Sequence, residues 1–210
     1  MSRLRLALAI QALAGLAGSA LAAPVAAPDA RALLAGEPPA LVRTLERQHF
    51  VLLEEVERGE GAFFLAYVIF RRPAERVYEL LAASERQSEY RPDLRESRRV
   101  ELLPDGQVDE HRMRILFVNI VYRLRYSRDP SRARIAWLTD PRFDNSVRKV
   151  EGFWELFALD AQRALGRFGT MVDVGPALPR SFQDSLTRKN VLRNVEDVRR
   201  WVDSDGAWRP

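Results

Sequence analysis

The sequence predicts an α+β protein: a curved antiparallel β-sheet wrapped around a long C-terminal helix. Three observations point there. Segments dense in β-branched and aromatic residues follow one another from Phe50 to Val174, with short turns between them, and short connections favour antiparallel neighbours. Several of these segments alternate apolar residues with arginine, so one face of the sheet is apolar and the other wet. The stretch RSFQDSLTRKNVLRNVEDVRRWV, Arg180 to Val202, then carries apolar residues at helical spacing. An apolar sheet face must be covered, and this last helix is its expected cover.

The chain opens on MSRLRLALAIQALAGLAGSALAAP, in which Arg3 and Arg5 precede an apolar run, Leu6 to Ala17, and the small-x-small pattern Ala20-Leu21-Ala22. That order is the pattern of an export signal, and the run is shorter than the roughly 20 residues that span a bilayer. Residues 1–22 are therefore expected to be a signal peptide cleaved after Ala22, giving a periplasmic or secreted protein; an uncleaved anchor is the alternative. Residues 23–39, rich in Ala and Pro, read as a flexible linker. Residues 40–205 read as one domain, beginning with a short helix over Ala40 to Gln48.

Two strands, Phe50 to Val56 and Phe63 to Phe70, flank a turn at Arg58-Gly59-Glu60-Gly61. Pro73 opens a helix, a position where its missing N–H would be unpaired in any case, and Val77, Leu80 and Leu81 share one side of it. Ser84 is the expected cap of a second short helix that ends before Pro92. Strands follow at Arg95 to Leu103, Gln107 to Phe117, Ile120 to Arg128, Arg134 to Leu138, Ser146 to Phe157 and Ala164 to Val174. His111, Met113, Ile115 and Phe117 share a face opposite Arg112 and Arg114. Tyr122, Leu124 and Tyr126 oppose Arg123 and Arg125, and Ile135 falls with Trp137. In the final helix Ser181 and Asp184 make a capping pair. Phe182 and Leu186 begin a stripe continued by Val191, Val195, Val198 and Val202, away from Lys189, Arg193, Glu196 and Arg200.

Composition narrows the chemistry. The net charge of +4 falls to +2 without Arg3 and Arg5, and the basic residues are interleaved with acids, which argues against a nucleic-acid partner. With no cysteine there are no disulfides, thiolate metal sites or thiol nucleophiles. A metal site would need His49 and His111 to converge with carboxylates, and alternation puts Glu110 on the face opposite His111. No metal, cofactor or catalytic residue is expected. Arg91-Pro92-Asp93 reads as a turn with a surface ion pair, its alternative being a gate or headgroup contact.

The order of elements resembles the START-like (SRPBCC) superfamily, whose helix-grip fold is shared by lipid-transfer domains, polyketide cyclases and coenzyme-Q-binding proteins. RRPAERVYELLAASERQSEYRPDLRESRRVE is similar to that family's opening, YRLRYSRDPSRARIAW resembles its middle strands, and EGFWELFAL and DVGPALPRSF look like its Gly-x-Trp strand and its link into the last helix. The resemblance spans about Phe50 to Val202. It implies a cavity between sheet and helix for a lipid, sterol, isoprenoid or polyaromatic molecule.

The inward residues expected to contact such a guest are Met113, Phe117, Tyr122, Tyr126, Trp137, Trp154, Phe168 and Met171. Methionine suits irregular apolar surfaces, and Tyr and Trp bring polar tips that need partners when buried. The expected function is noncatalytic binding or transport of a hydrophobic small molecule or lipid, with transient membrane contact. A cyclase-like enzyme using His111, Tyr122, Tyr126 or, on a reversed face, Arg112 is one alternative; a solid-cored interaction module is another.

Overall fold

The computed structural model describes residues 24–58, 61–115, 118–173 and 188–210. The expected signal peptide, Phe117, the Ser181–Asp184 capping pair and the start of the final stripe at Phe182 and Leu186 lie outside the described residues.

Eight antiparallel strands form one sheet: β1 (Phe50–Arg58), β2 (Gly61–Phe70), β3 (Leu94–Leu103), β4 (Gly106–Ile115), β5 (Val118–Asp129), β6 (Arg134–Thr139), β7 (Lys149–Ala158) and β8 (Ala164–Asp173). Their spatial order is β1-β2-β8-β7-β6-β5-β4-β3. The meander read from the sequence is β3 to β8, and the β1–β2 hairpin attaches to its last strand. Register shifts interrupt β1 between Leu52 and Glu54, and β3 near Leu94/Glu96 and Arg99/Glu101. Such bulges bend a strand and raise its twist, which suits a sheet that curls around a helix.

The concave face holds α3 (Ala74–Ala82), a 3₁₀ turn (Ser84–Glu89) and the C-terminal helix α4 (Arg188–Asp203). The described part of α4 has 16 residues, about 24 Å at 1.5 Å per residue. Val195, Val198 and Val202 are buried as the stripe predicts, and so is Trp201, at 0% exposure. Trp201 stacks at a tilt on Tyr90 with ring centroids 4.7 Å apart and donates its indole N–H to Glu89 Oε2 at 3.2 Å. Beyond the helix, Asp205 accepts from Arg76 at 2.7 Å and Arg209 donates to Glu89 at 2.8 Å. These contacts tie the end of α4 to α3 and the 3₁₀ turn.

The convex face differs from the expectation. Residues 24–39 are built into the domain, where a flexible linker was expected. Ala26 N–H bonds Pro130 O, Ala158 N–H bonds Pro28 O, and α1 (Ala30–Leu34) starts at Asp29, whose carboxylate accepts from Arg31 N–H at 2.8 Å. With α2 (Pro39–Gln48) it lays Ala30 and Leu45 on Tyr67, Ile69 and Leu165. The convex face is thus apolar where α1 and α2 cover β2 and β8, and elsewhere it carries ion pairs: Arg98, Arg112 and Arg123 with Glu110 on β3 to β5, and Arg134 and Arg167 with Glu155 on β6 to β8. The run FFLAYVIF in β2 has this cause: a strand buried on both sides needs no alternation.

Candidate ligand cavity

Between the concave face and α4 lies a cavity of about 170 Å³. Its floor comes from inward residues of β4 to β8, its roof from Val191, Asn194, Val195 and Val198 of α4, and one side from Leu81, Gln87, Tyr90 and Arg91. Of the residues read from the sequence, Met113, Tyr122, Tyr126, Trp137, Trp154 and Phe168 line it. Three rings form a continuous wall: Trp137 is 6.1 Å from Phe168 and Phe168 is 4.7 Å from Trp154, centroid to centroid. Gly152 makes room for Trp137, since a Cβ there would stand 2.4 Å from the indole and 2.5 Å from Gly169 O.

Met171 is a correction. Phe168, Thr170 and Val172 line the cavity, so with a side-chain period of two Met171 points to the convex side. It pairs there with Phe63 and Glu151. Ser84 is a second: its hydroxyl does not cap the 3₁₀ turn but donates to Asp109 Oδ2 at 2.5 Å.

Polar groups behind the wall form a directed relay. Ser97 Oγ donates to Ser84 O at 3.2 Å, which uses its only proton. His111 Nδ1, 3.2 Å from that oxygen, must therefore carry the hydrogen. Nε2 is then the acceptor for Tyr126 O–H at 3.2 Å. Tyr126 oxygen in turn accepts from Gln87 Nε2 at 2.7 Å, and Gln87 Oε1 accepts from Arg91 at 3.3 Å. Burial, and secondarily the charge of Arg91, lowers the His111 pKa to about 3. The imidazole is neutral and fixed in one tautomer. Burial likewise raises the Tyr126 and Tyr122 phenols. Deeper still, Gln107 donates to Asp109 and Ser84, and desolvation raises the Asp109 carboxyl.

The ion pair Arg91–Asp93 is present at 3.0 Å, but it is no surface pair: the two side chains are only 20% and 23% exposed and Arg91 reaches the cavity. Arg112, weighed as a pocket residue on a reversed face, lies on the convex side. There it joins Arg98 and Arg123 around the buried Glu110, each at 2.8 Å, with the Arg98 bond first among the causes that hold this carboxyl at about 2. Among the described residues no cluster of His, Asp and Glu is placed to hold a metal ion.

Sequence signals for the missed lining groups are uneven. Ile120 and Ile135 follow from the alternation already read. Gln87, Arg91 and Asn194 carry no apolar signal, and only their elements' placement brings them to the wall.

No family model and no curated protein matches this chain. Solved structures do. The aromatase/cyclase Zhui from Streptomyces sp. R1128 superimposes with a TM-score of 0.57 at 19% identity, covering 68% of this chain and 94% of its own. The fold is the START-like helix-grip. Two further START-like structures agree. A START superfamily protein from Mycobacterium smegmatis gives a TM-score of 0.56 at 14% identity, covering 68% of this chain and 97% of its own. A STAR-related lipid transfer protein from Xanthomonas axonopodis gives 0.54 at 13%, covering 73% and 98%. At such identities the likeness to START-like proteins is one of fold.

Proposed function

We propose that this protein binds and carries a hydrophobic small molecule, without catalysis, after export to the periplasm. The observation that carries the reading is the aromatic-walled hollow of about 170 Å³, where a packed interior would leave few voids larger than a water. A cavity of roughly 150 Å³ lined by apolar side chains suffices for a benzene-sized guest. A larger lipid, sterol or isoprenoid would enter by displacing α4, whose roof over the cavity is mostly valine, with transient membrane contact as the route of delivery. The basic and acidic groups at the described wall are one arginine and three tyrosines. At neutral pH an arginine and neutral phenols accept no proton, which favours a carrier over a cyclase.

The test compares wild type with Val195→Phe, which fills the cavity from α4. Stripped wild-type protein should take up a fluorescent hydrophobe, and Val195→Phe, folded by circular dichroism, should lose most of that affinity. Equal uptake by both contradicts the reading. Tyr122→Phe and Tyr126→Phe should keep most of the affinity; loss of a turnover in these variants would instead mark an enzyme. Export is tested by N-terminal sequencing of protein from the cell envelope, expected to begin at Ala23.

A further inference from the structure

The sheet forks between β6 and β7. Their ladder ends at Leu138 and Glu151, while β7 stays on β8 through Val150 with Val172 and Lys149 with Asp173. The segment after β6 follows β5 instead. Asp140 N–H bonds Arg123 O at 2.8 Å, Ser146 N–H bonds Val121 O at 2.9 Å, and Arg123 N–H bonds Asn145 Oδ1 at 2.7 Å. Inside the fork the Thr139 hydroxyl takes both backbone groups of Val150, at 2.6 and 3.0 Å. A groove of about 490 Å³ lies here, with Leu138, Pro141, Phe143 and Val147 in its wall. Leu138 follows Trp137, so it faces the convex side, and it is 49% exposed. Among the described residues Val147 alone lines both the groove and the hollow. The charged residues at the groove are matched: Lys149 meets Glu151 at 3.0 Å and Arg148 meets Asp173 at 3.2 Å.

We propose that this groove is the outer half of the ligand site. The guest is an uncharged, elongated hydrophobe, with a ring-sized end in the hollow and an apolar chain running past Val147 to Leu138. This rests on the binding reading above and adds the guest's length, charge and course. At about 170 Å³ the hollow holds little more than one ring, so a longer guest needs a second seat. Strands in a closed ladder stand about 4.8 Å apart, too close for a chain to thread; at the fork the ladder is open. The exposed Leu138 is apolar surface that such a chain removes from water. With its charges already paired, the groove calls for no ionic group. The segment after β6 is held to β5 by backbone bonds, so the chain passes when the Val147 side chain turns aside, and α4 closes over the ring.

Toluene, n-butylbenzene and n-hexylbenzene, titrated into full-length protein and read by shifts of the cavity methyl signals, test this. A methylene covered on one side gains about half the free energy of full burial, so affinity should rise about twofold per methylene in wild type. Leu138→Asp changes a half-exposed convex residue that does not line the hollow. It should bind toluene as wild type does and n-hexylbenzene about tenfold more weakly. In wild type the terminal methyl of n-hexylbenzene should show nuclear Overhauser contacts to Leu138. An affinity that stops rising after toluene, an equal rise in Leu138→Asp, or contacts to Val191 of α4 in place of Leu138, overturns the groove proposal and leaves the binding reading standing. Tighter binding of 6-phenylhexanoate than of n-hexylbenzene overturns the uncharged class. Binding of none of these probes, toluene included, removes the binding reading itself, and the groove proposal with it.

Discussion

His111 should make the fold acid-sensitive in a window of its own. It is fully buried and neutral, with a pKa lowered from 6.5 to about 3, chiefly by burial. A group whose proton affinity is depressed by folding takes up its proton in the unfolded state first. Stability is therefore intact above pH 6.5 and falls as pH drops from there toward 3, by about 1.4 kcal/mol per unit. Between pH 7 and pH 5 that loss is about 2 kcal/mol, a sizeable part of a typical 5–15 kcal/mol. Urea unfolding at pH 7, 6 and 5 measures it. His111→Gln keeps a donor and an acceptor but does not titrate, so it should lack this loss even if it is less stable at pH 7. His49 also has a lowered pKa, chiefly by burial, so His49→Gln serves as the control and should retain most of the wild-type slope. Identical pH dependence in wild type and His111→Gln would refute the reasoning.

Three further outcomes are expected. Gly152→Ala should destabilise by roughly 1–3 kcal/mol, read as a lower Tm, because its methyl would stand 2.4 Å from Trp137 with Gly169 O fixed behind it. Glu110→Gln should cost roughly 1–2 kcal/mol at neutral pH; with the carboxyl held at about 2, its stabilisation is present above pH 4.5 and lost toward 2, and the variant should lack that acid loss in denaturant titrations. Tyr67→Phe removes the 2.8 Å bond from the buried phenol to Glu37, so amide exchange should quicken in Ala30–Gln48 and stay unchanged in β4 and β5, with a loss of about 1 kcal/mol.

The meander and its inward face were legible because a period of two leaves a plain mark: Tyr122, Leu124 and Tyr126 against Arg123 and Arg125 needed no tertiary information. Met171 shows the cost of setting that arithmetic aside, since it lies three residues from Phe168 and cannot share its face. Trp201 was within reach, three positions after Val198 on the stripe. Of the two convex helices, α2 matches the short helix read over Ala40 to Gln48, but α1 was out of reach, because Ala and Pro do not distinguish a loose leader from a packed one. The hint lay in β2, whose residues are apolar on both sides. The polar side of the cavity stayed hidden for a different reason. Gln87, Arg91 and Asn194 look like solvent-facing residues in sequence, and only the closure of α4 and the 3₁₀ turn over the sheet makes them wall.

Native mass spectrometry of the protein purified from the envelope of the cell that makes it tests most directly whether the hollow between sheet and α4 is a binding site. The expected result is a mass above that of the mature polypeptide, released as one apolar compound on organic extraction and absent from Val195→Phe. A wild-type mass equal to that of the bare polypeptide, with nothing extractable, would contradict it.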